Sequence, residues 1–107
     1  MMNTLTVLEQ TVLIAIFKLG NEAYSVTIHR KILEITGADM IIGSLYNVLD
    51  QLYKKGRLLK SRGEPLSEKG GKSRMYYSIS EEGLKALEET KRFHNTLWDG
   101  MPEVLYE

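Results

Sequence analysis

The sequence predicts an α+β domain. Three short helices lead into a basic two-stranded hairpin, and a fourth helix closes the chain. Three observations predict it. Apolar residues recur at helical spacing in three successive segments before Gly56. Residues 43–77, GSLYNVLDQLYKKGRLLKSRGEPLSEKGGKSRMYY, pass from an amphipathic helix through Gly56 into two basic strands separated by a glycine-containing tip. After Ser80 the pattern returns to helical spacing and becomes acidic. This order, helix–helix–helix–hairpin, is that of a winged helix-turn-helix, here with an additional C-terminal helix expected to mediate dimerisation.

The first helix is expected over residues 6–18. Leu8, Val12, Ile16 and Leu19 share one face, and Leu13 widens it. Thr6 followed by Glu9 three residues later has the spacing of a capping box. Gly20 and Asn21 end the helix. The second helix is expected over residues 26–36, with Ser25 as N-cap, Ile28, Ile32 and Ile35 as the buried side and Gly37 as the stop. Tyr24 precedes the cap and either packs as a staple or touches a phosphate. His29 has no Cys, His or Asp partner at metal-ligand spacing and reads as a surface or interhelical residue.

Residues 39–42 are expected to be extended, and the third helix to cover residues 44–55. Leu45, Val48, Leu49 and Leu52 take its buried face. At roughly 100° per residue, Asn47, Asp50 and Lys54 point the opposite way, flanked by Tyr46 and Gln51. Gly56 suits the position after the helix, and Lys54 and Lys55 suit its negative end. The hairpin strands are expected over residues 57–62 and 74–79. Met75, Tyr77 and Ile79 alternate there with Tyr76 and Ser78, so one side can close over the helices. Pro65 is read as fixing a turn, with Gly70 and Gly71 free to take positive φ at the tip. Ser80 is the expected cap of the fourth helix, which reaches Leu97 or Trp98. Glu81 and Glu82 favour its start, and Gly83 is tolerable that early. Residues 100–107 read as irregular. The expected division is residues 1–79 as a DNA-binding head and residues 80–107 as dimerisation helix and tail.

A chain of 107 residues with 43% hydrophobic content can form one small domain, for which a partner subunit would add stability. It has no Cys, so disulfide and thiolate chemistry are excluded. Its opening lacks a basic segment and its apolar run is interrupted by Glu9, so neither a signal peptide nor a membrane span is expected. A cytoplasmic protein without a membrane partner is the default reading. The formal net charge is zero, but its distribution is uneven. Eight basic residues face two acidic ones between positions 54 and 74, while seven acidic residues face three basic ones from position 80 onward. A local basic surface attracts phosphates even on a neutral molecule.

The chemistry available is that of DNA contact. Asn47 can pair with an adenine edge, and Gln51 can do so if it faces the groove. Asp50 either accepts from a cytosine amine or orients a neighbouring cation, and Ser44 lies at the start of the same helix. Base reading is therefore assigned to Ser44, Asn47, Asp50 and Gln51. Backbone contact is assigned to Tyr24, Tyr46, Lys54, Lys72, Ser73 and Arg74. Scattered Ser and Thr residues have no His/Asp companion pattern. Lys69-Gly70-Gly71-Lys72 lacks both the spacing and the following helix of a phosphate-binding loop. No enzyme, cofactor or metal site is expected. A winged-helix interaction adaptor that reads no DNA is the alternative.

Taken together the residues resemble the PadR family of winged-helix transcriptional regulators. The resemblance is carried by Leu8-Glu9, Glu22-Ala23-Tyr24, the run from Gly43 through Ser44-Leu45-Tyr46-Asn47-Val48 to Leu49, and Leu52. Lys55-Gly56, Gly70-Gly71-Lys72-Ser73-Arg74, Tyr77-Ser78-Ile79-Ser80 and Glu82-Gly83 complete it. It covers about residues 5–87; Ser25 stands where the family commonly has Gly. The resemblance implies a homodimeric repressor of pseudo-palindromic operators, in many members released by a small aromatic or hydrophobic effector. It places recognition on the third helix and core roles on Leu45, Leu49 and Tyr77. Leu87, Phe93, Leu97 and Trp98 are the expected dimer interface, because a head this small leaves them uncovered. Phe93, Leu97 and Trp98 are also the candidate effector pocket; ligand stacking and plain interface packing both remain open for Trp98.

Overall fold

A computed structural model describes residues 4–65 and 73–103 of the chain. The element order is α1 (Val7–Leu19), a turn of 3₁₀ helix (Gly20–Glu22), α2 (Ser25–Thr36), α3 (Ile42–Lys54), β1 (Leu58–Pro65), β2 (Ser73–Ile79) and α4 (Glu81–Trp98). This is the expected α+β winged helix-turn-helix with a fourth helix.

The capping box at the start of α1 is present: the Glu9 N–H donates to Thr6 Oγ1 at 3.1 Å, and the Thr6 N–H donates to Glu9 Oε1 at 3.0 Å. Val12, Leu13, Ala15 and Ile16 form its buried side. Leu8, expected on that side, is exposed, because the neighbouring elements cover the face centred on Val12 and Ile16. α2 starts one residue earlier than expected. Tyr24, not Ser25, is the capping position: the Tyr24 N–H donates to Thr27 Oγ1 at 3.0 Å, and the Tyr24 carbonyl accepts the first helical bond from Ile28 at 2.8 Å. Thr27 supplies the side-chain half of a cap, so the Ser25 hydroxyl is left for other work. Ile28 and Ile32 are buried, but Ile35 is exposed. It lies in the last turn, beyond the cover of α1 and α3.

The segment between α2 and α3 forms no strand, and α3 begins at Ile42 rather than Ser44. His29 sets this turn: Nε2–H donates to the Met40 carbonyl at 2.6 Å, with Asp39 Oδ1 at 3.3 Å. The His is interhelical, as one of its two sequence readings had it. Leu45, Leu49 and Leu52 of α3 are buried and Val48 packs against the core. Gly56 follows the helix at φ +78, a conformation that suits glycine.

β1 and β2 pair antiparallel from Leu58↔Ile79 through Arg62↔Met75, with an irregularity before Pro65↔Ser73. Both strands are longer than expected, and Pro65, expected to fix a turn, is the last residue of β1. Gly70 and Gly71 lie outside the described residues. Tyr77 and Ile79 close over the helices, as the alternation predicted. The Tyr77 N–H also donates to the Ala23 carbonyl at 2.8 Å, fixing β2 to the connection before α2.

Ser80 caps α4, its Oγ accepting from Gly83 N–H at 3.1 Å and donating to the Gly56 carbonyl at 2.6 Å. Gly83 is more than tolerated. A Cβ there would fall on the Arg57 carbonyl oxygen and 2.6 Å from Ile79 Cγ2. Farther along α4, buried Thr90 Oγ1 accepts from the Leu5 N–H at 2.9 Å and donates to the Ala86 carbonyl at 2.7 Å.

Glu9 does more than cap. Its Oε2 accepts from Lys55 Nζ at 3.0 Å and lies 3.8 Å from Arg57 Nη1. Burial pushes the carboxyl up, but the Thr6 N–H, the Lys55 ammonium and the Arg57 charge outweigh it and hold Glu9 below its ordinary value. A depressed carboxylate contributes stability above its unfolded-state pKa and loses it as pH falls through the folded one. Glu9→Gln should cost about 1–3 kcal/mol at neutral pH, and denaturant unfolding should show the gap closing on acidification. Gly83→Ala should destabilise by about 1–3 kcal/mol, read by thermal unfolding, because backbone cannot swing aside as a side chain would.

Candidate nucleic-acid interface

α3 presents Ser44, Tyr46, Asn47 and Gln51 to solvent, and Asp50 is half-buried. The amphipathic reading of this helix is thus preserved in the fold: leucines inward, amide and hydroxyl side chains outward. Lys54 is exposed, but its Nζ sits 3.1 Å from Asp50 Oδ2. Asp50 thus touches the neighbouring cation Lys54 on the same helix.

The hairpin treats its cations differently. Lys60 Nζ lies 4.2 Å from the Tyr53 ring centroid, and Arg74 Cζ lies 4.3 Å from that of Tyr24. Arg62 Nη1 donates to Ser73 Oγ at 3.4 Å. Among the described residues none of these three makes an ion pair with a carboxylate, whereas Lys31, Lys54, Lys55, Lys85 and Arg92 all do. An aromatic face or a hydroxyl positions a cation without neutralising it, so the hairpin keeps its charge available. The hydrogen bond to Tyr76 raises the Arg74 pKa further above its ordinary value, with Tyr24 and Glu22 also favouring the cation.

Tyr24 and Tyr76 meet edge to face, centroids 5.5 Å apart at 70°. Tyr24, Ser25, Tyr46, Ser73, Arg74, Met75 and Tyr77 line a recess of about 230 Å³ where the start of α2, α3 and β2 converge. Burial pushes the Tyr77 hydroxyl up, as do neighbouring Tyr46 and Asp50, so it stays protonated. Four of the six residues assigned to backbone contact, Tyr24, Tyr46, Ser73 and Arg74, come together here. Lys54 stands apart on α3, and Lys72 lies outside the described residues. Ser25, which the sequence reading used as a helix cap, joins the set because Thr27 has taken that work.

On the far side of the molecule α1 and α4 enclose a groove of about 700 Å³ lined by Gln10, Ile14, Phe17, Lys18, Leu84, Leu87, Glu88 and Lys91. Phe17 is 65% exposed. Leu87 lies in this groove and against the core, while Phe93, Leu97 and Trp98 lie farther along α4 and are not among its walls. Phe93 is half-buried, its ring 5.8 Å from that of His94; Leu97 and Trp98 are 59% and 55% exposed. Among the described residues no group of His, Asp and Glu is arranged to hold a metal ion, and no helix is long and apolar enough to cross a membrane.

Three packed helices, the third with an exposed polar face, beside a cation-bearing two-stranded wing make the winged-helix fold that DNA-binding transcriptional regulators use. Residues 12–89 match the model of the transcriptional regulator PadR-like family, and the chain belongs to that family. Among solved structures, it resembles a PadR-like transcriptional regulator from Bacillus cereus at 26% identity and TM-score 0.66, covering 88% of this chain and 93% of that one. A PadR-like transcription factor from Bacteroides fragilis is also 26% identical, with TM-score 0.68 and coverage of 84% and 82%. A transcriptional regulator from Clostridium thermocellum shares the fold at TM-score 0.73, with 20% identity and 92% of each chain covered. No curated protein matches the chain significantly.

Proposed function

We propose that the protein is a cytoplasmic homodimeric repressor that binds a pseudo-palindromic duplex operator and is released by a small aromatic or hydrophobic effector. The single observation that carries the DNA-reading part is the separation of charge. Lys31, Lys54 and Lys55 are held in ion pairs, while Lys60, Arg62 and Arg74 on the wing are held by rings and a hydroxyl beside the exposed polar face of α3. In this reading residues 1–79 form the DNA-binding head and residues 80–107 the dimerisation helix and tail. Ser44, Asn47, Asp50 and Gln51 face bases; Tyr24, Tyr46, Lys54, Lys72, Ser73 and Arg74 face the backbone.

The dimer reading is supported by one stripe of α4. Ala86 and Thr90 are buried, Phe93 is half-buried and Leu97 is exposed, so burial fades along a single helical face as the head ends. Leu87, Phe93, Leu97 and Trp98 would be covered by a second copy. An effector seated among Phe93, Leu97 and Trp98 must bind two dimer arrangements with different affinity to change operator binding. A dimer also fits half-sites about one helical turn, roughly 34 Å, apart.

Competition between the chain's own upstream DNA and scrambled duplex tests the reading. Preference for the upstream duplex at physiological salt is expected; equal binding to both would sink sequence-specific regulation, and no binding at all would favour an interaction adaptor. Replacing Lys72 and Arg74 by neutral residues should weaken binding to all duplexes and flatten its salt dependence. Asn47→Ala should instead change discrimination at one or two base positions, by about 1–3 kcal/mol.

Truncation before Phe93 should give monomers or aggregates and weaken operator binding, measured by light scattering alongside the binding assay. A dispersed, intact dimer after truncation contradicts the role given to α4.

A further inference from the structure

The recess between the start of α2, α3 and β2 has the properties of a built anion seat. Among the described residues its walls carry one cation, Arg74, and no carboxylate. Nearby Asp50 and Glu22 do not line it. Arg74 lies over the Tyr24 face, its Cζ 4.3 Å from the ring centroid. Tyr24 is in turn braced edge-on by Tyr76. A planar guanidinium stacked on a ring presents its donors in a defined plane. Ser73 Oγ accepts from Arg62, which leaves its own O–H to donate elsewhere. Ser25 and Tyr46 bring two further hydroxyls to the same walls, and Ser25 opens α2, where the helix dipole favours negative charge.

We propose that this recess seats one phosphate diester of the DNA backbone and thereby indexes α3 along the groove. Arg74 is the anion ligand; Ser25, Tyr46 and Ser73 donate hydroxyl hydrogen bonds. Tyr24 is a positioning residue that acts through Arg74. The inference rests on the DNA-binding reading above and goes beyond it, because it makes one phosphate per half-site unequal to its neighbours.

The test uses a duplex operator carrying a single neutral methylphosphonate, moved one position at a time along each half-site, with the full-length protein. Wild type should lose about ten-fold in affinity at one position per half-site, the size of one charge-assisted hydrogen bond. Arg74→Gln should bind the unmodified operator correspondingly less well and show no further loss at that position. Lys60→Gln should keep the position-specific loss. Tyr24→Leu should behave like Arg74→Gln, and Tyr24→Phe, which retains the ring, should behave like wild type. Unchanged melting of each variant accompanies these results.

If Arg74→Gln and wild type lose affinity equally at every methylphosphonate, the seat does not exist even though operator binding does. If wild type shows no operator preference, the functional reading fails first and the two failures are distinguishable. Replacing chloride by inorganic phosphate at equal ionic strength should change operator affinity by less than about two-fold, since the duplex supplies the other contacts that position its phosphate. A loss specific to wild type and absent from Arg74→Gln would assign the recess to free phosphate instead and overturn the proposal.

Discussion

The carboxylate of Glu9 is the point on which the head is assembled. It receives the Thr6 N–H at the start of α1, the Lys55 ammonium at the end of α3 and the Arg57 charge at the entry to the wing. A buried carboxylate is costly unless such partners surround it. The consequence is that α3 ends, and the hairpin departs, at a place fixed relative to α1. The same junction receives α4: Ser80 N–H donates to the Arg57 carbonyl at 3.2 Å, its hydroxyl donates to Gly56, and Gly83 allows the helix to lie against that backbone. The end of α3, the wing and α4 therefore meet at one small junction.

This junction explains how a chain of zero net charge can present a basic face. The cations nearest the core are held by carboxylates, and the acidic residues of α4 are partly engaged with Lys85 and Arg92 on the same helix. The wing stands away from these acids. There Lys60 and Arg74 rest on Tyr53 and Tyr24 and Arg62 on Ser73, groups that orient charge without cancelling it. Net charge is a sum over the molecule, whereas a phosphate responds to the charges within about a Debye length, roughly 8 Å at physiological salt.

Two faces of the chain thus have opposite character. One gathers the hydroxyls and amides of α3 and the ring- and hydroxyl-held cations of the wing. The other carries the apolar groove between α1 and α4 and the exposed end of α4. Thr90 connects them: it ties the segment before α1 to α4 in the same small region where α1 reaches Glu9.

Local chemistry was legible in the sequence. The Thr6–Glu9 box, the Ser80 cap, the leucine face of α3 with Asn47 and Gln51 outward, and the inward Tyr77 and Ile79 follow from spacing and from residues three or four apart. Tertiary structure decided the rest. Ser25 gave way to Thr27 as the capping group, and Leu8 and Ile35 stayed exposed, because periodicity defines a face but not how far its neighbours extend. The second role of Glu9 depends on a residue 46 positions away, and the Leu5–Thr90 bond spans 85. Gly83 looked merely permitted until the Arg57 carbonyl was brought against it. Arg74 looked like one basic residue among eight until folding placed Tyr24 beneath it, since a stacking partner fifty positions earlier leaves no mark on local sequence pattern.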